Sequence, residues 1–141
     1  MNEMLKLENQ LCFPLYACAK EVVRRYTPLL EPLGLTYTQY IAMMVMWEYK
    51  SISIRDMGKL LLLDSGTLTP MLKKMEKAGL IQRRRSEKDE RIVIVTITAK
   101  GEELHDKASE VPARMTGCVT LESDEAMQLY TLLHKLMNSF K

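Results

Sequence analysis

The sequence predicts a mainly α-helical fold that carries one small β-hairpin, and three observations predict it. Two short stretches between Ile54 and Ala78 each follow a capping residue, Ser53 and Asp64, and the second is stopped by Gly79. A basic, β-branched ribbon with an acidic tip comes next, from Leu80 to Thr98. Amphipathic stretches with apolar residues at steps of three and four lie on either side. Two capped helices, a glycine stop and a basic hairpin give the outline of a helix-turn-helix followed by a β-wing.

The chain has 141 residues, 47% of them apolar, which is one domain's worth with enough material for a core. No apolar run reaches the roughly 18 residues that cross a bilayer. Glu3 and Glu8 are foreign to a secretory signal, so a cytoplasmic location without membrane contact is expected. Cys12, Cys18 and Cys118 offer neither a paired disulfide framework nor zinc-site spacing, so free thiols, no metal and no cofactor are expected.

From Leu7 to Leu33 the apolar positions Leu11, Leu15, Cys18, Val22, Tyr26, Leu29 and Leu33 describe a long amphipathic helix. Pro14 belongs in its first turn, which puts Cys12 and Phe13 near the N-terminus. Thr27-Pro28 predicts a kink or restart, and Pro32 before Gly34 predicts fraying. Thr36 to Gln39 reads as a capping box opening a buried second helix that Lys50 and Ser51 end. Ser53 caps a third, with Met57, Leu60 and Leu61 inward, and Asp64 caps a fourth, Ser65 to Ala78.

On this fourth helix Leu68, Met71, Leu72, Met75 and Ala78 share one face, while Gly66, Thr69, Pro70, Lys73 and Lys77 share the other. The outer face is small and polar at its start and cationic further on. Residues at the start of such a helix reach base edges while lysines meet phosphates. Leu80 to Arg85 and Arg91 to Thr98 form the hairpin, with Ser86 to Glu90 as its tip. There Asp89 or Glu90 is expected to orient an arginine by a paired planar contact, so that Arg91 enters a minor groove. Thr98 caps a fifth helix to about Met115. Ser123 or Thr120 opens a sixth to Phe140, with Leu129, Leu132, Leu133, Leu136 and Met137 inward. Residues 36–98 thus form the reading part, and 1–35 with 99–141 a helical part suited to joining two copies in a homodimer.

Charge follows the same division. From Arg55 to Arg91 there are ten Lys/Arg against six Asp/Glu, while the other 104 residues carry ten against twelve. A net charge of +2 is therefore concentrated where nucleic acid would sit.

ENQLCFPLYA (Glu8 to Ala17), RRYTPLLEPLGLTYTQY (Arg24 to Tyr40), LDSGTLTPMLKKMEKAGLI (Leu63 to Ile81) and RRRSEKDERIV (Arg83 to Val93) resemble the MarR family of winged-helix repressors. The likeness is to its organic-hydroperoxide-sensing, OhrR-type branch and covers nearly the whole chain, with Pro14 and Pro32 as departures. It implies a homodimer on a pseudo-palindromic double-stranded DNA operator. It also implies a recognition helix with Ser65, Gly66, Thr67, Thr69, Pro70, Lys73 and Lys77 at the DNA, and Arg84, Asp89 and Arg91 in the wing. Finally it implies a reactive Cys12 served by Tyr16 and Tyr26, whose oxidation by an organic hydroperoxide releases DNA.

The thiolate is the reactive form of cysteine, and a helix N-terminus favours it. Tyr16 lies one turn beyond Cys12 on the same face. Tyr26 lies about 21 Å further along, beyond reach of its own Cys12, so it serves the thiol only across an antiparallel dimer. Hydroperoxide would convert Cys12 to a sulfenic acid that a second thiol traps. Cys118 of the other subunit is one candidate and a low-molecular-weight thiol another. Cys18 is a third, though its place in the apolar pattern suits a buried role. Oxidation would then spoil the match to half-sites roughly 34–36 Å apart. Two other readings compete. A repressor controlled by a small phenolic or drug-like ligand would not need Cys12 with its tyrosines, and a thiol peroxidase would not need the basic reading head.

Overall fold

The computed structural model describes residues 2–141, which fall into two compact units, one ending at Val111 and one running from Pro112 to Lys141. The boundary lies inside the 99–141 stretch.

The first unit begins with two single 3₁₀ turns, Glu3–Leu5 and Leu7–Asn9, rather than with helix. The side-chain amide of Asn9 donates to the carbonyl of Glu3 at 2.7 Å, and that of Gln10 to the carbonyls of Met4 and Lys6 at 2.7 and 2.8 Å. These bonds fold the arm on itself and delay helix α1 to Cys12–Leu30, so the expected start at Leu7 is five residues early. Cys12 is the first helical residue and Pro14 the third, where a missing N–H costs no helical bond. The helix runs through Pro28 to Leu30 instead of restarting there. It then tightens into a 3₁₀ turn, Glu31–Leu33, which closes on Gly34 at φ 72°.

The capping box of α2 (Tyr37–Tyr49) is present in full. Gln39 N–H donates to the Thr36 hydroxyl at 3.3 Å, and Thr36 N–H to the Gln39 side chain at 3.0 Å. Tyr40, Ala42, Met43, Val45 and Met46 are all buried, so α2 is the central post of the unit. Lys50, at φ 66°, ends it and turns the chain into a short strand β1, Ser51–Ser53. Ser53 also caps α3, Ile54–Leu61, by accepting from Asp56 N–H at 3.0 Å. Met57 of α3 is fully buried, but Leu60 is 47% exposed and so faces outward, contrary to expectation. Helix α4 spans Ser65–Lys77 and buries Leu68, Leu72 and Met75.

Strands β2 (Ile81–Arg85) and β3 (Val93–Ile97) pair antiparallel from Ile81↔Ile97 to Arg85↔Val93. Strand β1 pairs with the other edge of β3, Ser51↔Thr96 to Ser53↔Ile94, so the hairpin is really a three-stranded sheet in the order β1-β3-β2. Thr98 caps α5, Ala99–Ala108, by accepting Gly101 N–H at 3.1 Å.

The helix expected to reach Met115 is broken after Ala108, and α6 covers Val111–Thr116. Pro112 accounts for the break, because it lacks the N–H that a continuous helix owes to the Ala108 carbonyl. In the second unit α7 spans Ser123–Asn138. Its cap is Glu122, neither Thr120 nor Ser123, and Glu122 N–H donates to the Glu125 carboxylate at 3.0 Å. The seam residues Leu129, Leu132, Leu136 and Met137 are exposed in the single chain rather than turned inward.

Candidate functional site

Asp64 sets the start of α4: its carboxylate accepts Thr67 N–H at 2.7 Å. That backbone bond comes first in holding the carboxyl below its usual range. Ser65, Gly66, Thr67, Pro70, Lys73 and Lys77 are all exposed, and Thr69 is half-buried. Pro70 has no N–H to offer the Gly66 carbonyl four residues back.

Opposite the start of α4 stands the hairpin tip. Arg91 donates from its backbone N–H and Nε to Asp89 Oδ1 at 3.0 and 3.1 Å, and from Nη2 to Oδ2 at 3.1 Å. This is a planar fork on one carboxylate, and the Arg91 side chain is still 90% exposed. The Arg91 guanidinium is in turn the first cause holding the Asp89 carboxyl below its usual range. Arg85 steadies the tip through Nη1–H to the Glu90 carbonyl at 2.7 Å, and Arg84 is exposed on β2. An open groove of about 1450 Å³ lies among these parts. Ser65 and Thr69 line it with Lys88, Asp89 and Arg91, as do Arg55 and Lys59 of α3. Those two cations of α3 were not among the residues expected at the DNA. Their signal was present in the spacing of four, which puts both on one face of a short helix.

Sequence reasoning also missed Glu76. It accepts the Arg83 backbone N–H at 2.8 Å and its Nη2 and Nε at 3.1 and 3.2 Å, tying α4 to the base of the hairpin. The Arg83 backbone bond is the main cause holding the Glu76 carboxyl low.

Cys12 is exposed at the first residue of α1. Tyr16 is 60% exposed, with Lys20 Nζ 5.4 Å from its ring centroid. Tyr26 is not brought to Cys12 of its own chain. It stands instead in a cluster with Tyr37 and Tyr40, its ring centroid 4.8 and 5.7 Å from theirs. Burial raises all three phenols above their usual range, so they remain O–H donors at neutral pH. The three-residue spacing of Tyr37 and Tyr40 on one face of α2 was the available signal for this cluster. Cys18 is exposed on α1, not buried as its apolar neighbours suggested. Cys118 is half-buried in the second unit, its Sγ 3.9 Å from the Arg114 carbonyl. Among the described residues no group of three His, Cys, Asp or Glu could hold a metal ion, and no helix is long and apolar enough to cross a membrane.

Residues 24–108 match the family described as transcriptional regulator SarA/Rot. The organic hydroperoxide resistance transcriptional regulator of Bacillus subtilis (strain 168) is 46% identical over 135 residues, covering 96% of this chain and 92% of that protein. Reduced AbfR bound to DNA superposes with a TM-score of 0.83 at 31% identity, covering 99% of this chain and 95% of the other. A mutant MarR from E. coli, complexed with operator DNA, gives 0.77 at 26% identity over 89% and 92% of the two chains.

Proposed function

Taking as premise that the chain belongs to the MarR family of winged-helix transcriptional regulators, and is therefore a regulator and not an enzyme, we propose that it is a DNA-binding repressor released by organic hydroperoxides acting on Cys12. The observation that carries the reading is Cys12 itself, exposed as the first residue of α1 with Tyr16 one turn beyond it. The name of the 46% identical relative supports the same chemistry.

In the reduced protein two copies present α4 and the Asp89-held Arg91 to successive half-sites of a pseudo-palindromic operator. Ser65, Gly66, Thr67, Thr69 and Pro70 approach base edges. Lys73, Lys77 and Arg84 meet phosphates, and Arg91 enters the adjacent minor groove. The homodimer is held by 1–35 and 99–141. Leu15 and Val22 in the first unit, and Leu129 and Leu132 in the second, are exposed in one chain and are apolar residues that such an interface would cover.

The Cys12 thiolate attacks one peroxide oxygen. The O–O bond breaks, the sulfur becomes sulfenic acid, and the other oxygen leaves as an alcohol after taking a proton. A second thiol then condenses with the sulfenic acid and water leaves. Cys118 of the other copy, Cys18, or a low-molecular-weight thiol supplies it. Tyr16, and Tyr26 from the other copy, donate hydrogen bonds to the sulfur, and their loss on oxidation moves the heads. A cytoplasmic setting completes this reading.

The test is operator binding by wild type and Cys12→Ser, with and without cumene hydroperoxide. Release of wild type and retention of the variant is expected. Release of both would instead assign the effect to ligand binding, and release of neither would end the peroxide reading.

A further inference from the structure

Trp47, the single tryptophan of the chain, stands on α2 two turns beyond Tyr40 and belongs neither to the thiol site nor to the DNA face. Its ring meets Tyr40 at 6.5 Å between centroids and, edge-on, His105 of α5 at 5.4 Å. Its Nε1–H donates to the carbonyl of Gly101, also on α5, at 2.9 Å. Tyr40 in turn touches Tyr26 and Tyr37. One side of Trp47 therefore rests on the tyrosine cluster and the other on the first turn of α5.

That first turn is joined to the end of the recognition helix. Gly101 N–H donates to the Thr98 hydroxyl at 3.1 Å, and that hydroxyl donates to the Gly79 carbonyl at 2.5 Å. Thr98 N–H donates to the Leu80 carbonyl at 3.1 Å, and Lys100 Nζ to the Ala78 carbonyl at 2.8 Å. Ala78 and Gly79 are the residues that close α4. At Gly101 a Cβ would collide with the Leu80 carbonyl and the Ile97 side chain, so the joint has no slack. Close-packed contacts of this kind pass on small displacements instead of absorbing them.

We propose that Trp47 is the positioning residue that couples the tyrosine cluster to the recognition helix. Reseating of Tyr26 shifts Tyr40 and the Trp47–Gly101 hydrogen bond, and the α5 joint carries the shift to the C-terminal end of α4. The inference rests on the thiol-switch reading above, in which oxidation of Cys12 disturbs Tyr26.

The test uses the full chain and three readouts: Cys12 thiol loss, tryptophan emission without DNA, and operator affinity of the reduced and oxidised forms. In wild type, emission should change on addition of cumene hydroperoxide at the rate at which the Cys12 thiol is lost, and Cys12→Ser should stay silent. Trp47→Phe keeps an aromatic ring against Tyr40 and His105 but removes the donor to Gly101. Its reduced form should bind operator like wild type and its Cys12 should oxidise at the wild-type rate. The affinity lost on oxidation should shrink by about fivefold, the weight of one ordinary hydrogen bond. A purely structural role for Trp47 would weaken both forms by one factor, and an unchanged ratio between them overturns the proposal. Should Trp47→Phe not fold, wild type decides alone, because operator release without a change in emission also overturns it. If wild type keeps its thiol or its operator under peroxide, the thiol-switch reading fails and the coupling fails with it.

Discussion

Replacing Arg91 and Asp89 separately distinguishes a wing that acts by charge from one that acts by position. Arg91 is 90% exposed yet held by three bonds to one carboxylate. Arg91→Ala removes a cation from each wing and leaves Asp89 unneutralised beside the groove. In a dimer two fewer counterions are released, so the slope of log affinity against log salt should become shallower by about 2. An arginine contact is worth about 1–3 kcal/mol, and losing it twice weakens binding by at least about thirtyfold. Asp89→Ala makes the opposite charge change and raises the positive charge of the wing. Coulomb attraction alone predicts tighter binding from it. An unanchored arginine must be ordered on the DNA at the cost of its rotamer entropy, so positioning predicts weaker binding with no loss of salt slope. Fluorescence anisotropy titrations on a labelled operator between about 50 and 200 mM salt measure both quantities. An Arg91→Ala slope equal to wild type, or tighter binding by Asp89→Ala, would refute the wing's role.

Two further outcomes are expected. The Asp64 carboxyl lies below its ordinary 3.8 in the folded chain, so the stability it contributes is present above that value and lost as pH falls through the depressed one. Asp64→Asn, which retains an acceptor for Thr67 N–H, should show a flatter fall of melting temperature below about pH 4, and parallel acid profiles would contradict this. Gly101→Ala gains about 1 kcal/mol of helix propensity, but crowding against the Leu80 carbonyl costs about 1–3 kcal/mol. The melting temperature followed by circular dichroism should therefore fall by a few degrees, and a rise would show that the joint has room.

What could be read from the sequence was what the chain settles locally. Thr36, Ser53 and Asp64 cap their helices because each needs only an N–H three residues away. The Asp89–Arg91 fork is likewise a contact two residues apart. Strand β1 was hidden because three residues are too few for a period of two and its partners, Thr96 to Ile94, lie more than forty residues on. Glu76–Arg83 and Trp47–Gly101 were hidden because both depend on how elements meet. The Pro112 break was legible in the sequence, as the cost of proline inside a helix is local. At the N-terminus the pattern misled. Apolar spacing from Leu7 fits a helix, but Asn9 and Gln10 offer the backbone carbonyls a closer set of donors.

These ties also determine the kind of response open to the reading head. Its first and last contacts are backbone-satisfying bonds: Asp64 at the start of α4, Lys100 and Thr98 at its end, and Glu76 to the hairpin. Breaking any of them in place would strand polar groups, at a cost comparable to the coupling energies by which such switches work. Under the proposed thiol switch, a signal starting at α1 would therefore cost less to transmit by moving α4 and the wing together than by reshaping either. The residues from Ile54 to Arg91 contain no cysteine, and the surface they present to DNA need not change for binding to be lost. In the proposed homodimer a displacement of one head relative to the next half-site would be sufficient, because a two-fold reader binds only when both of its heads are in register.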